Sequence, residues 1–334
     1  MSRSAVPRSV TPRSVGPEPD IAIRTEQLTK TYPGKRRQAP VTALAGLDLI
    51  VPAGTVHGLL GHNGAGKSTT VRILATLLSP TSGSARVAGH DVGADPAAVR
   101  SSIGLVGQYA AVDEPLTGRD NLLLFGRLAG LSPAGARARA GELLEQFRLT
   151  EAAARPVSGY SGGMRRRLDL AASLLTTPPV LFVDEPTTGL DPAGRRDVWS
   201  AVAELAQAGT TVLLTTQYLE EADRLADAIT ILRDGAVAAE GTPDQLKAEL
   251  GGDRAEITFT DPEITDRALA ALAHAERGDE PGVVRVPIAD STRDLIRICS
   301  TLDAERLEPD TLQLRHATLD DVFLTHTASE GAAR

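Results

Sequence analysis

The sequence predicts an α/β fold. A parallel sheet carries a phosphate-binding loop, with antiparallel strands beside it, a helical insertion, and a small α+β unit at the C-terminus. Three observations carry this prediction. The first is Gly61-His62-Asn63-Gly64-Ala65-Gly66-Lys67-Ser68-Thr69, in which two glycines bracket four residues before Lys and Ser. An apolar run, Val56 to Leu60, leads in, and Val71, Leu74 and Leu78 follow at helical spacing. The second is a pair of continuous apolar runs, Val180 to Val183 and Val212 to Leu214. Such strands are buried on both faces, as parallel strands are. The third is that polar groups follow apolar runs directly: Gly61, Gln108, Asp184, Glu185 and Gln217. Ligands of open α/β sheets bind outside the carboxyl ends of the strands.

Composition sets the bounds. The chain has 334 residues, 42% of them hydrophobic and 3% aromatic, so its cores rest on Ala, Leu, Val and Ile. The net charge of -8 points away from nucleic acid as a partner. The single cysteine, Cys299, excludes an internal disulfide or a multi-cysteine zinc site. No run reaches the roughly 18 apolar residues of a membrane span. The N-terminus lacks the apolar stretch of a secretory signal. A membrane role therefore calls for a separate partner chain.

Taken in order, residues 1–19 are rich in Ser, Pro and Arg and read as a disordered arm. Ile21 to Glu26 and Leu47 to Val51 alternate apolar and polar, as half-buried antiparallel strands do. Tyr32 is expected on a loop ahead of the basic Lys35-Arg36-Arg37. The phosphate loop comes next. Its glycines let backbone N–H groups turn toward phosphate oxygens, and the following helix adds partial positive charge. Lys67 can reach the terminal phosphates, and Ser68 can offer its hydroxyl to Mg²⁺.

Ala85 to Ala88 and Ile103 to Val106 read as strands, and Pro115 to Ala154 as almost wholly helical. The helical insertion spans residues 109–175. Within it, Tyr160-Ser161-Gly162-Gly163-Met164 opens a helix, a second candidate anion site. Asp184-Glu185 ends an apolar strand. Asp184 is expected on the Mg²⁺ side, and Glu185 is placed to polarise a water. The alternative for this pair is a helix cap. Ile229 to Leu232 and Ala236 to Ala239 form a hairpin around Asp234-Gly235. Thr242-Pro243-Asp244-Gln245 has the pattern of a helix start.

Gly251-Gly252 marks a boundary. Beyond it, residues 251–334 alternate strands and helices, and this unit is expected to be separable from residues 20–250. Leu319, Val322 and Phe323 share a helical face, with three possible places to pack: the preceding domain, a dimer contact, or a small local core.

These motifs together resemble the ATP-binding cassette (ABC) ATPases over residues 20 to 245. Tyr32 stands where that family has its adenine-stacking aromatic, and Gly61 to Thr69 is its Walker A loop. Gln108 matches the Q-loop, Ser161-Gly162-Gly163 the signature turn, Val180 to Glu185 the Walker B strand, and Leu190-Asp191-Pro192 the D-loop. The resemblance implies ATP and Mg²⁺ as cofactors, with Ser68, Gln108 and Asp184 on the metal side. Glu185, Gln217 and Gln108 would then be catalytic. It also implies that ATP is sandwiched between the P-loop of one cassette and the signature of a second, so two sites need a dimer.

Three features depart from the usual family pattern. Tyr160 and Met164 stand where Leu and Gln are usual, Gln217 replaces the switch histidine, and the tail carries Leu319-Asp320-Asp321-Val322-Phe323-Leu324. All three look like the daunorubicin-resistance-type ATPase subunits of drug exporters. That likeness implies a separate membrane permease subunit and a place on the cytoplasmic face of the cell membrane. Importer ATPases, soluble ribosome- or DNA-acting cassettes, and a cassette that binds ATP without turnover are the competing readings.

Overall fold

The computed structural model describes residues 20–34, 39–108, 110–249, 253–278, 280–288, 291–315 and 318–327. The N-terminal arm, the basic triplet at 35–37 and Gly251-Gly252 lie outside the described residues.

The chain enters through β1 (Ile21–Tyr32) and β2 (Val41–Pro52), then β3 (Val56–Leu60), α1 (Lys67–Leu74), β4 (Ser82–Val87), β5 (His90–Asp91), α2 (Pro96–Ser101) and β6 (Ile103–Val106). Strands β2, β1, β4 and β5 form an antiparallel sheet in that order. β1 runs further than its alternation suggests. A register shift after Thr25, with Gln27 at φ 48, absorbs the break in pattern. The ladder then continues to Tyr32, which pairs with Val41. Tyr32 therefore ends a strand, contrary to the loop position expected for it.

The helical insertion holds α3 (Gly118–Leu128), α4 (Pro133–Gln146), two short 3₁₀ turns and α5 (Gly162–Ser173). The near-continuous helix expected from Pro115 to Ala154 is broken. Gly130 at φ 86 follows the end of α3, and Ser132 with Pro133 begins α4. Thr117, Ser132 and Ser161 cap the three helices, each accepting from a backbone N–H three residues on.

The chain continues through β7 (Val180–Asp184), α6 (Pro192–Gln207), β8 (Thr211–Thr216), α7 (Leu219–Leu225), β9 (Ala228–Arg233), β10 (Ala236–Gly241) and α8 (Pro243–Glu249). The second sheet runs β10-β9-β3-β8-β7-β6, parallel except for the β9–β10 hairpin. Its central strands are buried on both faces. Leu181 and Val183 of β7 join the core under the helical insertion and α6, while Val180 and Phe182 join the core shared with the antiparallel sheet and α1. That two-sided burial is why β7 reads as an unbroken apolar run. At the start of α8, Thr242 and Gln245 exchange side-chain and backbone hydrogen bonds as a capping box.

The last segment holds β11 (Arg254–Thr258), α9 (Pro262–Ala271), β12 (Glu276–Arg277), β13 (Val283–Pro287), α10 (Ser291–Ala304), β14 (Thr311–Arg315) and α11 (Leu319–Thr327). Its antiparallel sheet, ordered β12-β13-β11-β14, packs Ala255, Ile257, Val284 and Val286 against Ala268, Leu272, Ile298 and Leu302. α11 leaves this core. Leu319 and Val322 pack with Leu60, Ala222, Ala226, Ile229, Ile231 and Leu246. A cut at residue 251 therefore strips a helix from the core beneath β3 and β9, so the two segments are not cleanly separable.

Two expectations follow. Leu319 is 2% exposed, so Leu319→Ala should destabilise by about 2–5 kcal/mol. Leu128→Ala, at a residue 74% exposed, should change stability by no more than about 0.5 kcal/mol. Urea unfolding read by the single tryptophan, Trp199, compares them. His57 in β3 is buried, and its Nε2 shares a 2.8 Å hydrogen bond with Thr230 Oγ1. Burial lowers its pKa from 6.5 to about 4. Between those values the unfolded chain binds the extra proton, so stability falls as pH drops below 6.5, by about 3 kcal/mol in all near pH 4. His57→Gln should flatten that part of a stability-against-pH profile.

Candidate nucleotide site

β3, β8, β7 and β6 are parallel neighbours, so their carboxyl ends share one rim of the sheet. Gly61, Gln217, Asp184 with Glu185, and Gln108 stand at those ends. The rim is the binding edge of an open α/β sheet.

The loop from Gly61 to Gly66 is set by close packing. A Cβ on Gly61 would lie 2.7 Å from the Leu232 carbonyl, and one on Gly66 2.7 Å from the Ala43 carbonyl. Gly66 also has φ 113, a conformation that side chains disfavour. His62, Asn63 and Gly64 are exposed, Ala65 is buried, and Ser68 and Thr69 are half-buried at the start of α1. No side chain caps α1. Its first N–H groups, with their share of the helix dipole, are thus available to an anion.

Lys67 is 4% exposed. Its ammonium donates to the carbonyls of Gly61 (2.6 Å) and His62 (3.2 Å) and lies 3.6 Å from Glu185 Oε1. Burial pulls its pKa down, partly offset by the charges of Glu185 and Asp184. Ser68 Oγ donates to Asp184 Oδ1 at 3.4 Å. Thr215 Oγ1 donates to the same carboxylate oxygen, and the Glu185 N–H donates to the Thr215 carbonyl (3.0 Å) and hydroxyl (3.2 Å). Glu185 has φ 47, a costly conformation for a non-glycine residue that concentrates at functional sites. The structure therefore brings Lys67, Ser68, Asp184 and Glu185 into one cluster. Sequence reasoning missed Thr215; two threonines closing an apolar strand at Thr215-Thr216 were the available signal.

Among the described residues, no group of three or more His, Cys, Asp or Glu side chains is placed to hold a metal ion. The Ser68 hydroxyl and Asp184 carboxylate are instead two oxygen donors. This small set suits a hard divalent cation that takes its remaining ligands from phosphate and water. The free helix N-terminus, the buried ammonium and this oxygen pair fit a magnesium–nucleotide triphosphate.

Gln108 and Gln217 are exposed on the rim. Tyr32 is half-buried, with the Lys30 ammonium 5.4 Å from its ring centroid. It pairs with Val41, two residues before the Ala43 carbonyl that abuts Gly66, so β2 links it to the phosphate loop.

The other predicted groups form a second cluster. Ser161 caps α5, and both Ser161 and Gly162 are exposed. Asp191 is exposed and caps α6, accepting from the Gly194 N–H at 2.8 Å. A Cβ on Gly163 would lie 3.0 Å from Gly194 Cα. The two helix starts therefore meet through glycine. The described hydrogen bonds tie Ser161 and Asp191 to their own helices, not to the phosphate loop. Tyr160 is buried where the family usually has Leu, and its hydroxyl donates to the Ala152 carbonyl at 2.7 Å. That bond satisfies the one polar atom a leucine lacks.

Behind the carboxylates lie charges that the sequence did not single out. Glu221 is fully buried, accepts from Trp199 Nε1 at 2.9 Å, and has its pKa raised by burial. Arg166 and Asp169, spaced i, i+3 on α5, are buried together. Arg166 is the middle of three consecutive arginines, Arg165 to Arg167. Its spacing from Gly163 and Asp169, residues on the buried face, was the signal.

The family model described as ABC transporter matches residues 44–188. Daunorubicin resistance ATP-binding protein DrrA2 of Streptomyces coeruleorubidus is 52% identical over 311 residues, covering 92% of this chain and 95% of that protein. Doxorubicin resistance ATP-binding protein DrrA of Mycobacterium tuberculosis is 46% identical over 315 residues, covering 92% and 94%. Among solved structures, an ATP-binding subunit of an ABC transporter is 30% identical with a TM-score of 0.59, covering 69% of this chain and 93% of that one. A dimeric ATP-binding cassette in a post-hydrolysis state with ADP and Pi is 26% identical with a TM-score of 0.59, covering 66% and 98%. Identity of this extent, along nearly the whole length of such proteins, places the chain in the ABC transporter family, as an ATP-binding and ATP-hydrolysing subunit.

Proposed function

We propose that this chain powers export of a drug or antibiotic through a separate transmembrane permease subunit, docked on the cytoplasmic face of the membrane. The observation that carries the reading is identity along 92% of the chain with proteins named for daunorubicin and doxorubicin resistance. Among the described residues no helix is long and apolar enough to cross a membrane. That supports a partner chain as the source of the path. Residues 20–250 act as the cassette, and residues 251–334 as an accessory unit anchored to it by α11.

In the proposed site the α1 N-terminus and Lys67 hold the phosphates, aided by the backbone of Gly61 to Thr69. Ser68, Asp184 and Gln108 would hold Mg²⁺, which would supply positive charge against the transferred phosphoryl group. Glu185 orients and polarises the attacking water, and Tyr32 stacks on the adenine. Gln217 positions water and γ-phosphate with its amide, which offers donors and an acceptor at every pH. Ser161, Gly162, Gly163 and Asp191 serve the nucleotide of a second copy arranged head to tail. The exposure of Ser161, Gly162 and Asp191, and the hydrogen bonds that tie Ser161 and Asp191 to their own helices rather than to the phosphate loop, support that assignment.

Lys67→Ala should weaken ATP binding or block turnover. Glu185→Gln should still bind ATP but hydrolyse it at least about a hundredfold more slowly, the scale of losing a general base. The test uses inverted vesicles carrying the chain together with its transmembrane permease subunit. ATP-driven daunorubicin uptake should appear with the parent and vanish with Glu185→Gln. Uptake of equal size in both would remove Glu185 from its role, and no uptake with an active ATPase would remove this substrate class.

For Gln217, turnover should show no transition near pH 6.5 of the kind a histidine gives. Gln217→Ala should slow hydrolysis by about tenfold or more. Gln217→His should preserve or raise the rate and introduce such a transition. Steady-state ATPase against pH for the three proteins decides, and an unchanged Gln217→Ala would mean the amide takes no part.

A further inference from the structure

Arg165, Arg166 and Arg167 follow the signature turn on α5, and only the middle one is buried. Arg165 reaches Glu114 (3.0 Å) and Arg167 reaches Asp197 (3.5 Å), both partly exposed pairs. Arg166 is 5% exposed, and Nε, Nη1 and Nη2 all donate to backbone carbonyls behind the nucleotide site. Nε donates to the Pro186 carbonyl at 2.9 Å. Nη2 donates to the carbonyls of Asp184 (3.2 Å) and Glu185 (3.3 Å). Nη1 donates to the Gly107 carbonyl at 2.5 Å and to Asp169 Oδ2 at 3.4 Å. Asp169 in turn accepts from the Ala111 N–H at 2.9 Å.

These contacts converge on two segments, one carrying Asp184 and Glu185 and the other leading into Gln108. A planar fork with five donors can hold carbonyls from both at once, which a point charge on a flexible stem cannot. The need for such a hold is visible at Glu185, whose φ of 47 is unfavourable unless its surroundings fix it. Thr215 fixes the N–H side of that residue, and Arg166 fixes the carbonyl side. Asp169 and Glu221, both buried, and Asp184 keep the guanidinium among opposite charges.

We propose that Arg166 is a positioning residue for hydrolysis. It fixes the backbone of Asp184 to Pro186 and of Gly107, and so sets Glu185 and Gln108 against the phosphate loop. It also ties both to the helix whose start carries Ser161 and Gly163. A shift of α5 is thereby passed to the Glu185 carboxylate of the same chain. The proposal rests on Glu185 as the water-activating group.

The experiment uses the full chain with Arg166→Lys and Arg166→Met, alone and combined with Glu185→Gln. Binding of a fluorescent ATP analogue should change less than about twofold, because α1 and Lys67 are untouched, while kcat falls about tenfold or more through misplacement of Glu185. Arg166→Lys should recover part of the loss of Arg166→Met while remaining folded at the assay temperature, which thermal unfolding of both variants checks. In single turnover, adding Arg166→Lys to Glu185→Gln should cost clearly less than it costs the parent, since the main group it positions is already gone and only the hold on Gln108 and Asp184 is left to lose. An equal fold-loss in both backgrounds, with Glu185→Gln itself impaired, would overturn the positioning role alone. So would a loss confined to nucleotide affinity. Full turnover by Glu185→Gln alone would instead overturn the reading of Glu185. If Arg166→Met does not fold, Arg166→Lys and its cycle with Glu185→Gln separate the same outcomes.

Discussion

The parallel ladder joining β7, β8 and β3 is the constraint on which the site depends. Its register sets Asp184 beside Thr215 and Leu60 beside Thr216. Once that register holds, the phosphate loop, the carboxylate pair and Gln217 must emerge on one rim. A parallel sheet also requires cover on both faces, and each face here has its own cover. The antiparallel sheet and α1 close one side; the helical insertion and α6 close the other. The subdomains that surround the site are thus the same elements that bury its strands.

The second feature is the density of buried charge behind that rim. Lys67, Glu185, Arg166, Asp169 and Glu221 are all buried. Isolated, each would cost several kcal/mol. They persist because each meets an opposite charge or a polar partner: Lys67 with Glu185, Arg166 with Asp169 and four carbonyls, Glu221 with Trp199. The partners come from α1, α5, α6, α7 and the ends of β6 and β7. The charges therefore join elements that apolar packing alone would leave free to slide.

The departures from the usual family pattern have separate physical accounts. Tyr160 fills a core position and finds a carbonyl for its hydroxyl. Gln217 lies exposed on the rim, where its chemistry can act only on a bound partner. The tail motif packs Leu319, Val322 and the partly buried Phe323 under β3 and β9, making the end of the chain part of the first half's core.

The sequence by itself determined whatever depends on near neighbours along the chain. Glycine spacing marked the phosphate loop, unbroken apolar runs marked the two-face-buried strands, and Thr242 with Gln245 marked a helix start. These signals are legible because backbone conformation and alternation of faces are local properties. Tertiary structure decided the rest. Tyr32 sits on a strand because β2, beginning nine residues later at Val41, offers it a ladder partner. Arg166 is buried while its two neighbours are not, which only the packing of α5 against the ends of β6 and β7 could settle. Thr215 matters because the ladder puts it beside Asp184, 31 residues away in sequence. α11 had three possible places to pack, and its helical periodicity fitted all of them. A periodic pattern says which face of an element is apolar; which surface covers that face depends on contacts between residues far apart in the chain.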